Sequence, residues 1–264
     1  DHGEHFMIRN NGDGAKDFKI SRTLIRNPLK ENWTDFYPQQ HGRIIQAILL
    51  FQDYLVISIR DQGLPKIEVI HLDSGTNQSI YFDEEDYNVR PQQGREWDTS
   101  VLRFSYASLT TPSTIFDYDM AQNTRELKKQ TEVLAGFDSN LYTSKRVLAP
   151  AEDGALIPIS LLFRKDTPLD GSAPLYLYGY GSYGIIMESD FGSSRLSLVD
   201  RGFIFAVAHP RGGMDLGWDW YQQGKLLNKK KTFTDFIKCA EYLIEEQYTQ
   251  VGQIVAVGGS AGGM

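Results

Sequence analysis

The sequence predicts two unlike parts, an incomplete β-propeller over residues 1–143 and an α/β domain over residues 144–264. Pairs of short strands recur at a nearly constant spacing in the first part, and a repeat in the forties made of strands and turns is typical of propeller blades. Predicted strands alternate with predicted helices in the second part, which is the pattern of a largely parallel sheet covered by helices. The fold prediction follows from these two patterns.

Three strand pairs support the propeller. Their first strands begin at residues 6, 54 and 101 and their second strands at residues 18, 66 and 114, so the spacing is 47 or 48 residues. Turn residues separate the two strands of each pair, as in Asn11-Gly12-Asp13-Gly14. A β-sandwich with evenly spaced hairpins is the alternative. Closed propellers have roughly four to eight blades, so we expect further blades before residue 1.

The α/β prediction follows from the order of the elements after residue 144. We expect strands over residues 145–150, 155–163, 174–178, 203–208 and 253–257, and a short helix over residues 193–201 that ends at Gly202. The last of these strands is continuously apolar, which is typical of a strand in the middle of a parallel sheet.

A longer helix is predicted between the last two strands. Counted from Phe233, apolar residues fall at positions i, i+3, i+4, i+7, i+10 and i+11, which form one face of a helix. Thr232 and Asp235 stand three residues apart and are interpreted as a capping box at its N-terminus. Cys239 lies beside the apolar stripe and is interpreted as a structural residue.

The composition is that of a globular protein and excludes several classes of function. The 264 residues include 27 Lys plus Arg and 34 Asp plus Glu, and the net charge is −7, so no basic surface for nucleic acid is expected. The single cysteine excludes a disulfide framework and a cysteine-rich zinc site. We expect no metal and no cofactor. The acidic run Asp83-Glu84-Glu85-Asp86 is interpreted as a solvated turn.

The sequence contains no sign of a membrane segment or a targeting signal. The longest apolar stretch, Ile44–Phe51, is too short to cross a bilayer, so no membrane partner is expected. The first residues resemble neither a signal peptide nor a transit peptide. Because the chain lacks an initiator Met and ends in a glycine-rich motif, we interpret it as an internal part of a longer protein. Cytoplasmic localisation is the default, and the oligomeric state is not predicted.

The segment Gly258-Gly259-Ser260-Ala261-Gly262-Gly263 contains the pattern G-x-S-x-G directly after the last predicted strand. In α/β-hydrolases this pattern forms a strained turn from a strand into a helix, which exposes a nucleophilic serine at the edge of the sheet. The glycines leave room for the close crossing of the backbone. An ordinary glycine–serine turn is the alternative. The sequence therefore predicts the first half of an α/β-hydrolase domain, with Ser260 as the nucleophile.

A serine nucleophile needs a base that takes its proton and an acid that orients the base. In α/β-hydrolases both groups follow the serine along the chain, whereas only four residues follow Ser260 here. We therefore expect the triad Asp and His beyond Met264, and we expect residues 1–264 alone to be inactive. His209 precedes the serine, which is the wrong order for this fold, and is interpreted as structural.

The loop over residues 179–184 also fits the dinucleotide-binding pattern G-x-G-x-x-G, and Asp200 lies near the expected position of the acid that binds ribose. That pattern needs a helix whose N-terminus holds the pyrophosphate. Residues 185–192 do not open an amphipathic helix, and Asp200 precedes a strand instead of ending one. Nucleotide binding is therefore disfavoured.

Many ordered blocks between Tyr178 and Gly263 make the second part similar to the catalytic domain of the prolyl oligopeptidase family, and within that family to the oligopeptidase B group. The family's β-propeller, which caps the active site and admits short peptides, agrees with the predicted first part. Met214 and Asp215 depart from the pattern, which usually has glycine and glutamate there. The matching blocks are Tyr178–Gly184, Ser194–Leu198, Asp200–Phe203, His209–Gly213, Trp220-Tyr221, Gly224-Lys225, Lys230–Phe233 and Gly258–Gly263.

The resemblance implies a serine endopeptidase that cuts short peptides after Arg or Lys through an acyl-enzyme, without a cofactor. It implies that Ser260 is the nucleophile. It also implies that the backbone N–H of Ala261 and the hydroxyl of Tyr180 stabilise the oxyanion. Glu188 and Asp190 match an acidic pair that binds basic residues of the substrate. Two carboxylates near a catalytic loop suit such side chains, because charge-assisted hydrogen bonds are strong.

Several alternatives remain open at this point. A prolyl-type or acylaminoacyl-type peptidase, or an esterase of the same superfamily, would share the nucleophile but prefer another substrate. A propeller interaction protein with a dead hydrolase domain would lack the triad His or Asp. Tyr180 could be a packed aromatic residue, and the segment with Glu188 and Asp190 could be a solvated loop.

Overall fold

The computed structural model of the protein describes residues 2–134 and 136–264, and three antiparallel sheets form the first part of the chain. The strands of each sheet follow one another in chain order. The first sheet contains β1 (His5–Asn10), β2 (Lys19–Leu24) and β3 (Thr34–Tyr37). The second contains β4 (Arg43–Leu50), β5 (Tyr54–Asp61), β6 (Leu64–His71) and β7 (Asn77–Ser79). The third contains β8 (Asn88–Gln92), β9 (Val101–Ala107), β10 (Thr114–Asp119) and β11 (Thr124–Gln130).

These sheets confirm the predicted partial propeller. The three predicted strand pairs are the antiparallel pairs β1 with β2, β5 with β6 and β9 with β10. Successive small sheets of three or four strands are the arrangement of propeller blades, whereas a β-sandwich would have two larger sheets. The prediction missed the shorter or outer strands, such as β3, β7 and β8.

The strand β5 shows how neighbouring blades pack. Side chains alternate between the two faces of a strand, and both faces of β5 are buried. Leu55 and Ile57 lie in a core that also contains Ile20 of the first sheet. Val56 lies in a second core, which also contains Phe104 of the third sheet. The second sheet is therefore covered by apolar side chains on both sides.

The second part of the chain contains a five-stranded sheet. Its strands are β12 (Tyr142–Pro150), β13 (Leu156–Arg164), β14 (Leu175–Gly179), β15 (Ile204–Ala208) and β16 (Ile254–Val257), in the order β12-β13-β15-β14-β16. The strands β14, β15 and β16 are parallel, and β12 and β13 are antiparallel to their neighbours. The helices are α1 (Ser193–Val199), α2 (Trp218–Gln222) and α3 (Lys230–Glu245). All five predicted strands and both predicted helices are present, and α2 was not predicted.

Within the described residues the last predicted strand lies at one edge of the sheet, and its place in the middle of a larger sheet stays a prediction. The strand β16 pairs with β14 on one side only, and Val255 is 50% exposed.

The predicted capping box of the long helix is wrong. The helix α3 begins at Lys230, so Thr232 and Asp235 lie inside it. The hydroxyl of Thr232 donates to the carbonyl oxygen of Arg211 at 2.6 Å, and Asp235 binds the guanidinium of Arg211. Because these two polar residues lie on the buried face, that face is rotated from the predicted stripe, and Phe233 and Ile237 are 39% and 53% exposed.

The structural interpretation of Cys239 is confirmed. Cys239 is fully buried in the core of the α/β sheet together with Leu243 of the same helix. Burial raises the pKa of the Cys239 thiol, because the thiolate would lose its hydration. A thiol of this kind is inert and serves packing.

The acidic run after β7 is more than a solvated turn. Glu84 accepts hydrogen bonds from Tyr106, Thr110 and Thr111 at 2.6–2.9 Å. Asp86 is 2% exposed and lies 3.4 Å from Nη1 of Arg146 in β12. Only Asp83 and Glu85 of this run are exposed. The prediction failed because the partners lie far along the chain, where a local charge pattern gives no sign of them.

Polar contacts join the propeller sheets to the α/β domain. The carboxylate of Asp17 accepts from the backbone N–H groups of Gly42 and Trp218 at 2.8 and 2.7 Å. The strand β12, which begins at Tyr142, already belongs to the five-stranded sheet. The domain division at residue 143 stays a prediction. No helix in the described part of the chain is both long enough and apolar enough to span a membrane.

Candidate active site

The predicted nucleophile lies in a strained turn directly after β16. Ser260 has φ +53°, a left-handed conformation that residues other than glycine rarely adopt. Ser260 is exposed and begins a short 3-10 turn over Ser260–Gly263. A Cβ at Gly258 would overlap the carbonyl oxygen of Gly262, so a larger residue would force the turn open. The pattern G-x-S-x-G therefore has the local geometry that a serine hydrolase needs.

The sheet brings Tyr180 to the same edge as this turn. The parallel strands β14 and β16 pair in a register that puts Tyr178 opposite Val257, so the residues after both strands emerge together. A Cβ at Gly262 would lie 2.8 Å from the carbonyl oxygen of Gly179 and 2.9 Å from Cα of Tyr180. The backbone of the Ser260 turn therefore packs directly against the Tyr180 loop.

A cavity of about 420 Å³ opens where the turn and the loop meet. It is lined by Tyr180 and Ala261, together with apolar side chains of α3 that include Phe233, Phe236 and Ile237. The two residues predicted to supply the oxyanion donors thus border one space, and Ser260 itself does not line it.

The side chain of Lys229 holds the Tyr180 loop from behind, and Arg211 lies buried nearby. Nζ of Lys229 donates to the carbonyl oxygen of Gly181 at 2.7 Å and to the hydroxyl of Ser182 at 2.5 Å. Burial lowers the pKa of Lys229, because the ammonium loses hydration. The guanidinium of Arg211 binds both carboxylate oxygens of Asp235, and these hydrogen bonds raise the pKa of Arg211. Neither Lys229 nor Arg211 was predicted to take part in the site.

Glycines allow the loops around Tyr180 to pack closely. Gly181 and Gly212 have φ values of +60° and +100°. A Cβ at Gly212 would overlap the carbonyl oxygen of Gly181, and one at Gly181 would overlap the methyl group of Thr232. The glycines thus serve contacts within the protein, and the next helix begins only at Ser193. This is not the geometry of a dinucleotide-binding loop, which needs a helix immediately after it.

The Gly212→Ala variant is expected to be less stable than the wild type, because the added methyl group meets backbone that cannot move aside. Gly202→Ala is the matched control, since Gly202 has a similar φ of +88° and open space around it. Left-handed strain is common to both variants, so their difference reports the overlap, which is expected to cost about 1–3 kcal/mol. Denaturant unfolding of the full-length protein measures this. Equal stabilities would show that the loops are loosely packed.

The two carboxylates predicted to bind substrate lie between the domains. Oε2 of Glu188 lies 2.5 Å from Nη2 of Arg60 in β5. Oδ1 of Asp190 accepts from the side-chain amide of Asn88 at 2.7 Å, and Arg90 lies 3.6 Å from its Oδ2. Neither carboxylate lines the cavity that contains Tyr180. The segment is thus no freely solvated loop, and its carboxylates are paired with side chains of the propeller.

The structural interpretation of His209 is confirmed. His209 is 4% exposed, and both of its ring nitrogens have partners, Asp215 at 2.9 Å and Ser160 at 2.7 Å. It therefore has no free nitrogen with which to activate Ser260. Among the residues that the structure describes, no group of three or more potential ligands could hold a metal ion.

Comparisons with known proteins match both parts of the chain. Residues 1–131 match the model for "Prolyl oligopeptidase, N-terminal beta-propeller domain", and residues 189–264 match that for "Prolyl oligopeptidase family". A dipeptidyl aminopeptidase BI of Pseudoxanthomonas mexicana is 39% identical over 263 residues, which are 99% of this chain and 36% of that protein. Protease 2 of Moraxella lacunata is 34% identical, over 100% of this chain and 38% of that protein.

A solved structure agrees with these matches. Oligopeptidase B from Trypanosoma brucei with covalently bound antipain superposes with a TM-score of 0.93 and 37% identity, over 99% of this chain and 38% of that chain. The chain therefore spans somewhat more than a third of the length of the relatives that it matches.

Proposed function

This chain belongs to the prolyl oligopeptidase family, and we propose that the whole protein is a serine peptidase that hydrolyses short peptides through an acyl-enzyme on Ser260. The left-handed turn at Ser260 carries this proposal, because it exposes a serine at the end of β16 in a turn whose Gly262 packs against the loop of Tyr180. The Moraxella and Trypanosoma relatives, which are named as a protease and an oligopeptidase, support it.

The chemistry proceeds in two steps. The hydroxyl oxygen of Ser260 attacks the peptide carbonyl carbon while a base takes the hydroxyl proton, and the carbonyl oxygen becomes negatively charged. The backbone N–H of Ala261 and the phenol of Tyr180 donate to that oxygen. The base then protonates the leaving amine, and water hydrolyses the remaining ester. The triad Asp and His are proposed to lie beyond Met264, since His209 is engaged in buried hydrogen bonds.

Labelling tests the nucleophile. The full-length protein is expected to react with a fluorophosphonate probe at Ser260 and to hydrolyse peptide amides. Residues 1–264 alone are expected to show no turnover, because Ser260 would have no base. A full-length protein that binds its partners but takes no label would instead be a propeller interaction protein with a dead hydrolase domain.

We further propose cleavage after Arg or Lys. The half-exposed carboxylate of Asp190 supports this preference, as does the oligopeptidase B relative, whereas Glu188 already pairs with Arg60. A dipeptidyl peptidase is the second candidate, because the Pseudoxanthomonas relative carries that name. Amide substrates with Arg, Pro or Ala before the cleaved bond, each with a free or a blocked amino terminus, separate these activities. An esterase would hydrolyse the corresponding ester substrates and leave these amides intact.

The Asp190→Asn variant is expected to raise the KM for substrates with basic residues about tenfold, which corresponds to about 1.4 kcal/mol, while kcat changes little. The carboxylate of Asp190 is half exposed, so its loss removes a charge that a guanidinium can reach. Asp73→Asn is the control, because Asp73 is exposed on the turn after β6. Kinetics on Arg and Ala amides measure the effect, and an equal change for both substrates would contradict the assignment.

A further inference from the structure

A second set of Ser, His and Asp side chains lies buried in the α/β domain. Oδ1 of Asp215 lies 2.9 Å from Nδ1 of His209, and Nε2 of His209 lies 2.7 Å from Oγ of Ser160. Ser189 extends the set, since its hydroxyl donates to Oγ of Ser160 at 3.2 Å. None of these four residues is more than 4% exposed.

The donors and acceptors fix the direction of these hydrogen bonds. An ionised carboxylate can only accept, so Nδ1–H of His209 donates to Asp215. Nε2 of His209 then accepts from the hydroxyl of Ser160, and Ser160 in turn accepts from Ser189. Each residue from Ser189 to His209 thus donates a hydrogen bond to the next, and the last bond ends on the carboxylate of Asp215. A buried polar chain of this kind is stable only when its members are all paired.

These hydrogen bonds have the connectivity of a catalytic triad, but a substrate cannot reach the serine. Ser160 is fully buried inside β13, with Arg146 of β12 on one side and Val207 of β15 on the other. No substrate carbonyl can reach its hydroxyl, and the backbone N–H groups of a central strand are used in the sheet. The set therefore performs no acyl transfer.

The hydrogen-bonded residues instead hold the segment over residues 186–191. This segment has no regular secondary structure, and in the part of the chain that the structure describes none of its backbone N–H groups donates to another backbone carbonyl. Ser189, at its centre, is tied to the sheet through Ser160. Its neighbours Glu188 and Asp190 face the propeller, where they contact Arg60 and Asn88.

The position of the Asp215 carboxylate depends on the absence of a side chain at Gly213. A Cβ at Gly213 would overlap Oδ2 of Asp215, so the carboxylate can approach His209 only because Gly213 has no side chain. The backbone N–H of His209 donates to the carbonyl oxygen of Pro158 at 3.0 Å, and its own carbonyl accepts from the indole of Trp220 at 3.2 Å. The imidazole is thus fixed on all sides.

We propose that Asp215, His209 and Ser160 are positioning residues that hold Ser189 and thereby fix the two carboxylates that select basic substrates. This inference rests on the proposed function, since it gives the hydrogen-bonded relay of Ser189, Ser160, His209 and Asp215 a role in substrate selection. These hydrogen bonds hold the segment 186–191 whether or not the protein is active.

Two variants of the full-length protein test the relay. Ser189→Ala cuts the link between the segment and the sheet, and His209→Gln removes the imidazole in the middle. Each is expected to raise the KM for a substrate with two basic residues about tenfold, with kcat and the rate of fluorophosphonate labelling nearly unchanged. The double variant is expected to have nearly the same KM as either single variant, because both substitutions break the same series of hydrogen bonds. Exposed Ser193 and His41 supply the controls Ser193→Ala and His41→Gln.

A second readout does not depend on peptidase activity. In protein inactivated by fluorophosphonate, a glutamyl endopeptidase is expected to cut after Glu188 at least tenfold faster in His209→Gln than in His41→Gln, since the segment opens more often. An unchanged KM and cutting rate in Ser189→Ala and His209→Gln would overturn the relay. If the wild type shows no preference for basic residues while the segment still loosens, the proposed specificity fails and the positioning role stands. If His209→Gln does not fold, the KM of Ser189→Ala decides.

Discussion

Replacing Ser260 with alanine in the full-length protein is expected to lower kcat for peptide amides by roughly a million-fold. The substitution removes the atom that is proposed to attack the carbonyl, so the proposed acyl-enzyme could not form. What remains is binding and oxyanion stabilisation, which alone accelerate the reaction far less. The KM is expected to change little, because the hydroxyl contributes to bond formation and not to holding the substrate.

The control for this variant is Ser193→Ala, because Ser193 is exposed at the start of α1. Both proteins are expected to unfold at the same temperature as the wild type, since alanine keeps the Cβ and therefore the same left-handed strain at position 260. Burst kinetics and fluorophosphonate labelling measure the loss. Activity within tenfold of the wild type would show that another residue is the nucleophile.

The Tyr180→Phe variant is expected to lower kcat by about 100-fold to 1,000-fold, or about 2.7–4 kcal/mol. The phenol is proposed to donate to an oxygen that is negative only in the transition state, so kcat falls while KM stays nearly constant. The ring itself remains, and the packing of the loop on Gly262 is preserved.

Tyr183→Phe supplies the matched control within the same loop. Tyr183 is 75% exposed, so loss of its hydroxyl removes a group that water already satisfies. Steady-state kinetics of the two variants on one amide substrate give the comparison. Equal effects of the two substitutions, or a change confined to the KM of Tyr180→Phe, would exclude the phenol as an oxyanion donor.

The parts of the fold that the sequence predicted are those formed by local contacts. The pairs β5 with β6 and β9 with β10 join strands that are close along the chain, so alternation and turn residues reveal them. The capping box failed for the opposite reason. Thr232 and Asp235 have the spacing of a cap, but Arg211 binds both of them from a loop more than 20 residues earlier.

The candidate site shows the same division. The glycine pattern around Ser260 is local, and the resemblance supplied Tyr180 as its neighbour. The supporting residues were not predicted, because Lys229 reaches Gly181 across 48 residues and His209 reaches Ser160 across 49. A signal for the latter was present in the sequence, since a lone His in an apolar setting near an Asp must find partners once it is buried.

The burial of β5 on both faces has a consequence for how the strand finds its pairing. In a half-exposed strand, a slip by one residue is penalised because it turns the apolar side chains toward water. That penalty is weak in β5, where Leu55 and Val56 belong to opposite cores and would merely exchange them. Arg60 supplies the missing discrimination, because its buried guanidinium donates to the carbonyl oxygen of Gly63 and binds Glu188. If β5 were shifted by one residue, the guanidinium of Arg60 would be buried among apolar side chains without a partner. This cost favours the observed pairing register of β5.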